Sequence, residues 1–171
     1  MKKLSILFFV LSTILVSCSS DDDGANISAS IVGKWIATDI EFEGDISAVV
    51  EGERINFTFT GEPTDLDHSL TFTESPNEVV SEGGFDLEVT TNLGGFTDTE
   101  TVEGESIVET GSWEQNGNLL TVANSGEGGD IEIFELTATR LIIGTEASET
   151  ETIDDIETTL NSTFKIIYIR E

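Results

Sequence analysis

The feature that most constrains this chain is a two-residue alternation of apolar and polar residues, which begins at Ile31 and recurs towards the C-terminus. In residues 55–59 and 85–89, every second residue is Ile, Leu, Phe or Val. Successive side chains of a β-strand point to opposite faces, so this spacing predicts strands with one buried and one solvated face. No long stretch shows the 3.6-residue spacing of an amphipathic helix, and the sequence therefore predicts an all-β domain.

Short turn signals separate the alternating segments. Asn116-Gly117 favours a two-residue hairpin because both positions tolerate positive φ. About nine or ten short strands at a spacing of roughly 8–14 residues predict an antiparallel barrel, with a sandwich as the alternative. Residues 97–105 predict an exposed edge strand or a projecting hairpin. Residues 147–163 fit either a long acidic hairpin or a short helix, and both interpretations stay open.

The charge of the chain limits its partners. The net charge is −27, and removal of residues 1–17, which contain Lys2 and Lys3, would make it −27 − 2 = −29. Such a surface repels nucleic acid, whose binding depends on Lys and Arg against phosphates, and it repels anionic lipid head groups as well. Cations and basic proteins are the electrostatically favoured partners, although a high negative charge also keeps a secreted protein soluble.

The N-terminus predicts export. Two lysines precede Leu4–Val16, a thirteen-residue segment whose only polar residues are Ser and Thr. A transmembrane helix needs about 20 apolar residues, so this segment is too short to span a bilayer and has the length of a secretory signal. The predicted organisation is a signal peptide over residues 1–17, an acidic tether over residues 18–30, and one domain over residues 31–171.

Cys18 is the only cysteine of the chain, and the stretch Leu15-Val16-Ser17-Cys18 resembles the lipobox of bacterial lipoproteins. The resemblance implies that the chain is cut before Cys18, that the Cys18 sulfur carries diacylglycerol, and that the new amino group is acylated. Two or three acyl chains would hold the protein stably on a membrane, whereas one chain holds only marginally. A free cysteine beside an ordinary cleavage site, or an uncleaved anchor, is the alternative.

The acidic stretch after Cys18, residues 19–23 (SSDDD), resembles the export signal of surface lipoproteins of the Bacteroidota. This resemblance implies an outer-membrane lipoprotein that is exposed on the cell surface. A solvated tether would have the same composition, and an outer-membrane lipoprotein that faces the periplasm is the alternative location.

Two Gly-x-Trp motifs carry a second resemblance. Gly33-Lys34-Trp35 opens the domain, and residues 111–122 place Trp113 before an Asn-Gly turn, as in lipocalins and bacterial lipocalin-like lipoproteins. The resemblance implies an up-and-down lipocalin-like β-barrel of about 8–10 strands in which the tryptophan closes one end. It implies that Gly33, Trp35 and Trp113 are structural, and that Arg140 or Arg170 packs on the tryptophan. Residues 61–105 carry acidic insertions without a counterpart in that pattern.

The function implied by this resemblance is non-catalytic binding of a small, hydrophobic ligand inside the barrel, by residues that the sequence does not identify. A surface interaction module, which binds a protein or a cation through acidic loops while its core stays packed, is the alternative. Native mass spectrometry distinguishes the two functions, because only a carrier would retain a bound molecule that adds to the mass of the chain.

The sequence predicts neither a catalytic nor a metal site. His68 is the only histidine, and in a strand its neighbours Asp67 and Ser69 would point away from it. Zinc sites use several His or Cys ligands, which this chain lacks. Calcium binds six to eight oxygens, and the acidic residues of two short segments could supply some of them, but neither segment has the glycine-containing loop of a calcium site. These residues are Asp65, Asp67, Asp154, Asp155 and Glu157.

Overall fold

The computed structural model describes residues 25–50, 52–104, 106–123, 131–153 and 156–171. Within these ranges the regular structure consists of β-strands, and no helix is long and apolar enough to cross a membrane. The strands are β1 (Asn26–Ile27), β2 (Gly33–Val50), β3 (Glu53–Leu66), β4 (Ser69–Thr73), β5 (Glu78–Glu82), β6 (Phe85–Leu93), β7 (Phe96–Gly104), β8 (Gly111–Asn116), β9 (Leu119–Val122), β10 (Ile131–Leu136), β11 (Arg140–Ile153) and β12 (Ile156–Arg170).

Eight of these strands close into an antiparallel barrel. The hydrogen-bonded order is β2-β4-β5-β8-β9-β10-β11-β12, and β12 returns to β2. Because each strand pairs with the next barrel strand along the chain, the barrel has up-and-down connectivity, and its closure leaves no sheet edge. The predicted lipocalin-like barrel is therefore confirmed, and the sandwich alternative is excluded.

The long strands continue beyond the closed barrel into an open sheet, which we call the extension. It consists of residues 42–50, 53–62, 85–104, 145–153 and 156–164, in the strand order β11-β12-β2-β3-β6-β7. β10 pairs with β11 only over Leu141–Gly144, so the rest of β11 forms one edge of the extension and β7 forms the other. Residues 147–153 and 156–163 thus lie in two long paired strands, as the hairpin interpretation expected, and β7 is the predicted edge strand.

The interior of the closed barrel is filled by large apolar side chains. Seven of these side chains are fully buried: Trp35, Leu70, Phe72, Ile133, Leu141, Ile166 and Tyr168. A shift of register opposite Ile167 and Tyr168 inserts Thr38 as an extra residue of β2. Such a bulge reverses the alternation, so Trp35 and Ala37 point inward before it, and Ile40 points inward after it.

Candidate functional site

One end of the barrel is closed by Trp35. Its ring N–H donates to the Ile31 carbonyl at 2.7 Å, and the Arg170 guanidinium lies 4.1 Å above the ring centroid. Arg170 also donates to the backbone carbonyls of Ser30, Val32 and Ala138 at 2.6–2.8 Å. Of the two arginines that the sequence left open, it is therefore Arg170 that packs on the tryptophan, and Arg140 instead pairs with Glu135.

Gly33 makes room for this arrangement. Its φ of +138° lies in a region that L side chains rarely adopt, and a Cβ atom there would overlap Nη1 of Arg170. Trp113 lies elsewhere, half-buried on β8, where its ring meets Phe72 edge-on at 5.7 Å and its N–H donates to the Thr73 carbonyl. The two Gly-x-Trp motifs thus lie on different strands, and the register of β2, β4, β5 and β8 places both at the end of the barrel where β2 begins.

His68 lies in the core and forms part of a chain of hydrogen bonds. Tyr168 Oη lies 2.9 Å from His68 Nδ1, and Ser81 Oγ lies 2.9 Å from His68 Nε2. Ser81 donates onward to Ser106, which donates to the Val108 carbonyl. A neutral imidazole that accepts at Nδ1 and donates at Nε2 satisfies every member of this chain.

Burial favours the neutral forms of His68 and Tyr168 in this network. Burial lowers the pKa of His68, although the charge of Asp67 acts in the opposite direction, and burial raises the pKa of the Tyr168 hydroxyl. Asp67 itself accepts from the Gly84 amide at 2.7 Å. The premise that Asp67, His68 and Ser69 alternate within one strand is wrong, because β3 ends at Leu66 and β4 begins at Ser69. The network is a means of burying a histidine.

The barrel interior opens into the extension at a cluster of four phenylalanines, which we call the aromatic floor: Phe42, Phe59, Phe85 and Phe164. The Phe42 ring lies 5.2 Å from Phe59 and 6.0 Å from Phe164, and Phe85 lies 6.0 Å from Phe164. Phe85 is buried, whereas the other three are half-buried. These residues mark the point at which full burial of the core ends.

Three rings of the aromatic floor lie over glycines of the neighbouring strand. Phe42 pairs with Gly61 and Phe59 with Gly44 across β2 and β3, and Phe85 pairs with Gly104 across β6 and β7. A Cβ atom on Gly61 would lie 2.7 Å from Cδ1 of Phe42, and one on either other glycine would overlap the facing ring. The glycines therefore let the rings lie flat on the sheet.

Beyond the floor, the face of the extension that continues the barrel interior carries a band of apolar side chains; we call this face the inner face. The register places its side chains in rows that cross six strands up to the row of Phe57, and only β11, β12, β2 and β3 beyond it. In contrast to the barrel core, these residues are half-buried or exposed. They include Ile46, Ala48, Ile55, Phe57, Leu93, Phe96 and Leu160.

The opposite, outer face of the extension is polar. Hydrogen bonds link its side chains across strands, as from Ser148 to Asn161 and from Asn161 to Asp45. A polar concavity of about 550 Å³ lies against it, lined mainly by Ser, Thr, Asn, Asp and Glu side chains. Eight of its twelve lining residues project from the outer face, and the other four, Gly44, Phe59, Ala147 and Ser162, form one row of the inner face.

Among the described residues, no group of three or more His, Cys, Asp or Glu side chains is placed to hold a metal ion. Asp65 and Asp67 lie at the end of β3 and just after it, and Glu157 lies on β12. Asp154 and Asp155, which the sequence suggested as further calcium ligands, lie outside the described residues, as does Cys18.

Comparison with known proteins agrees with this architecture. A family model described as a lipocalin-like domain matches residues 31–143, which is more than half of the chain. The chain belongs to the lipocalin-like domain family. Members of this family are generally binding proteins without catalytic activity, and a lipocalin-like barrel indicates binding of small ligands in general. No curated protein and no solved structure gives a significant match.

The family match and the structure meet at the same residues. The matched range includes Gly33, Trp35 and the aromatic floor apart from Phe164. Sequence reasoning missed the floor, since each ring and its glycine lie on different strands. A signal for the floor is nevertheless present in the sequence. A phenylalanine and a glycine that are equally far from the same hairpin connection face each other across the two strands, as Phe42 faces Gly61 and Phe59 faces Gly44.

Proposed function

We propose that this lipocalin-like protein binds a small hydrophobic ligand without catalysis, and that the ligand lies on the aromatic floor at the mouth of the barrel. The observation that carries the proposal is the continuity of the inner face. Large apolar side chains are buried inside the closed barrel, and apolar side chains continue past Phe42 and Phe164, where they are half-buried or exposed. The ligand site thus lies at the mouth and not in the barrel interior.

The physical chemistry of the floor suits a flat apolar molecule. Burial of apolar surface contributes about 25 cal/mol per Å², so a ligand that covers on the order of 150 Å² of the floor gains about 4 kcal/mol before the costs of association. Aromatic rings in offset or edge-on contact contribute on the order of 1 kcal/mol more. Phe42 and Phe59 present half-exposed rings for such contacts, and their glycine partners keep the approach open.

Binding can be tested with N-phenyl-1-naphthylamine, an uncharged probe that fluoresces in apolar surroundings. We expect Phe59→Ser to weaken binding of the probe by about tenfold, which corresponds to about 1.4 kcal/mol of lost contact. Thr58→Ser is the matched control, because Thr58 lies beside Phe59 on β3 but projects from the outer face. Equal binding by both variants would contradict a site on the floor.

We further propose that the protein is anchored through lipid on Cys18 and faces outward from an outer membrane. Cys18 lies outside the described residues, and its resemblance to a lipobox cysteine supports the proposal. β1 pairs with β10 at Asn26 and Glu135, which places the start of the described chain at the Trp35 end of the barrel. Residues 19–25 span at most about 25 Å, so an anchor at Cys18 would hold that end near the membrane and direct the aromatic floor away from it.

The anchor can be tested by labelling cells with an alkyne analogue of palmitate. We expect the label on the parent chain, none on Cys18→Ala, and release of the variant from the membrane fraction. Protease added to intact cells should degrade the parent chain. Resistance to protease in a labelled chain would favour the periplasm-facing location instead, and label on Cys18→Ala would contradict the anchor.

A further inference from the structure

The inner face of the extension carries charge of one sign only. Asp98 and Glu100 lie on it along β7, and Glu149 and Glu151 lie on it along β11, so carboxylates follow both edges of the apolar rows. Glu53, opposite Val50, adds a fifth carboxylate at the hairpin tip. The two cations of the extension and its junction, Arg54 and Lys165, project from the outer face, since they pair with Val49 and Glu41.

Between these carboxylates lies an apolar surface large enough to bind a protein segment. The two rows next to the floor cross all six strands, about 24 Å at a spacing of about 4.8 Å, and the two rows nearer the hairpin tips cross only β11, β12, β2 and β3. The apolar residues of these rows, among which polar residues such as Ser162, Thr158 and Thr91 also lie, form a patch on the order of a few hundred Å², a size that is often functional on monomers. Phe96, at the β7 edge, is 82% exposed.

We propose that the inner face of the extension docks a cationic amphipathic segment of a partner protein. Apolar side chains of that segment would cover Ile46, Phe57 and Leu160, while Lys or Arg residues at its two ends would meet the carboxylates of β7 and β11. This inference goes beyond the binding of a small ligand, which uses the floor between Phe42 and Phe59. The partner segment covers the row of Ile46, Phe57 and Leu160 and runs diagonally, from the β7 carboxylates beside the floor to the β11 carboxylates nearer the hairpin tips.

The charge pattern decides against the other occupants of such a face. A second copy of this chain would set Asp98 and Glu100 against acidic residues of its partner, and like charges that are opposed at an interface are unfavourable. Anionic lipid head groups would be repelled in the same way. A cationic segment gains attraction at both borders, and the net charge of −27 accelerates its encounter with the protein.

The experiment measures binding of a peptide of about 18 residues, with Leu on one helical face and Lys on the other, which spans about 27 Å as a helix. A scrambled peptide of the same composition is its control. The chain from Ser19 onward, which keeps every described residue, is titrated by isothermal calorimetry. We expect the amphipathic peptide to bind at least about tenfold more tightly than the scrambled one, because only it presents an apolar face.

Two matched pairs of substitutions locate the site. Glu100→Lys with Glu149→Lys reverses one charge at each edge of the inner face, and we expect about tenfold weaker binding of the amphipathic peptide. Glu88→Lys with Glu103→Lys changes the net charge equally, but both residues project from the outer face, and we expect a change of about twofold or less. All four residues are exposed, so none of these substitutions removes a core contact.

Several results would overturn the proposal. If both pairs of substitutions weakened peptide binding equally, the effect would come from long-range charge alone. If the amphipathic and the scrambled peptide bound equally well, the apolar rows would not contribute to binding. A concentration-dependent dimer in sedimentation that occludes the face would assign it to a second copy, and binding to anionic vesicles would assign it to a membrane. Because the naphthylamine probe is uncharged, its binding should be unchanged in Glu100→Lys with Glu149→Lys, so failure of either proposal is recognised separately.

Discussion

The substitution Tyr168→Phe tests whether the hydrogen-bond chain around His68 stabilises the fold. Both residues are fully buried, and Tyr168 Oη lies 2.9 Å from His68 Nδ1. Removal of the hydroxyl leaves Nδ1 without a donor in a site that water does not reach. An unsatisfied buried polar atom costs about 1–3 kcal/mol, and the ring itself is retained, so we expect a loss of about 2 kcal/mol in the free energy of unfolding.

Urea denaturation followed by tryptophan fluorescence measures this loss directly. In a domain of this size, 2 kcal/mol corresponds to a decrease of about 4–8 °C in Tm. Thr99→Val is the control, because it removes an exposed hydroxyl that lies 3.2 Å from the Thr90 hydroxyl, and surface substitutions of this kind usually change stability by about 0.5 kcal/mol or less.

The double variant Tyr168→Phe with His68→Leu adds a second criterion. Replacement of both partners by apolar groups removes the unsatisfied atom, so the double variant should lose less stability than the sum of the two single variants. Two results would refute the view that the Tyr168 hydroxyl satisfies the buried His68 ring. One is a free energy of unfolding of Tyr168→Phe within about 0.5 kcal/mol of the parent chain, and the other is a double variant whose loss equals the sum of the two single losses.

Three further predictions follow from single contacts. Since burial lowers the pKa of His68 below its ordinary value of 6.5, the folded state favours the neutral ring. The free energy of unfolding should therefore be highest above pH 6.5 and should fall as the pH decreases towards the pKa of the folded state. Urea titrations of His68→Leu should lack this pH dependence. Arg170→Lys should lose about 2 kcal/mol, seen as a lower urea midpoint, because an ammonium cannot reach three carbonyls while stacked on Trp35; an unchanged midpoint would contradict this role. Gly104→Ala should displace the Phe85 ring and lower Tm by several degrees, whereas Gly84→Ala, where a Cβ meets no atom within 4 Å, should not.

Local alternation in the sequence predicted the strands well because each strand has one apolar and one polar face. Residues 55–59 and 85–89 both lie in strands, and the apolar members of the second segment are buried or half-buried. Alternation fails where the chain changes phase. The bulge at Thr38 shifts the inward positions of β2 by one residue, and no property of Thr38 itself announces the shift.

The division between barrel and extension could not be predicted, because it depends on which strands pair over which residues. β2 pairs with β4 near Trp35 and with β3 from Phe42 onward, so one strand takes part in both the closed barrel and the extension. The partners of His68 are equally non-local, since Tyr168 lies 100 residues away in the sequence. The closed end was more accessible to sequence reasoning, because Gly33 and Trp35 lie within one short motif.

If ligands bind as we propose, the separation of barrel and extension also separates stability from binding. Side chains such as Phe72 and Leu70 are fully buried, and truncation of such residues typically costs about 2–5 kcal/mol. Residues of the inner face such as Phe57 are only half-buried and contribute correspondingly less to folding, although they present more apolar surface to a partner. The closed barrel can therefore stabilise the fold on its own contacts, and the sequence of the extension is free to change with its ligand. The acidic residues of β7 and β11 complete this division, because charges on edge strands oppose unwanted strand pairing and leave the apolar face available for binding.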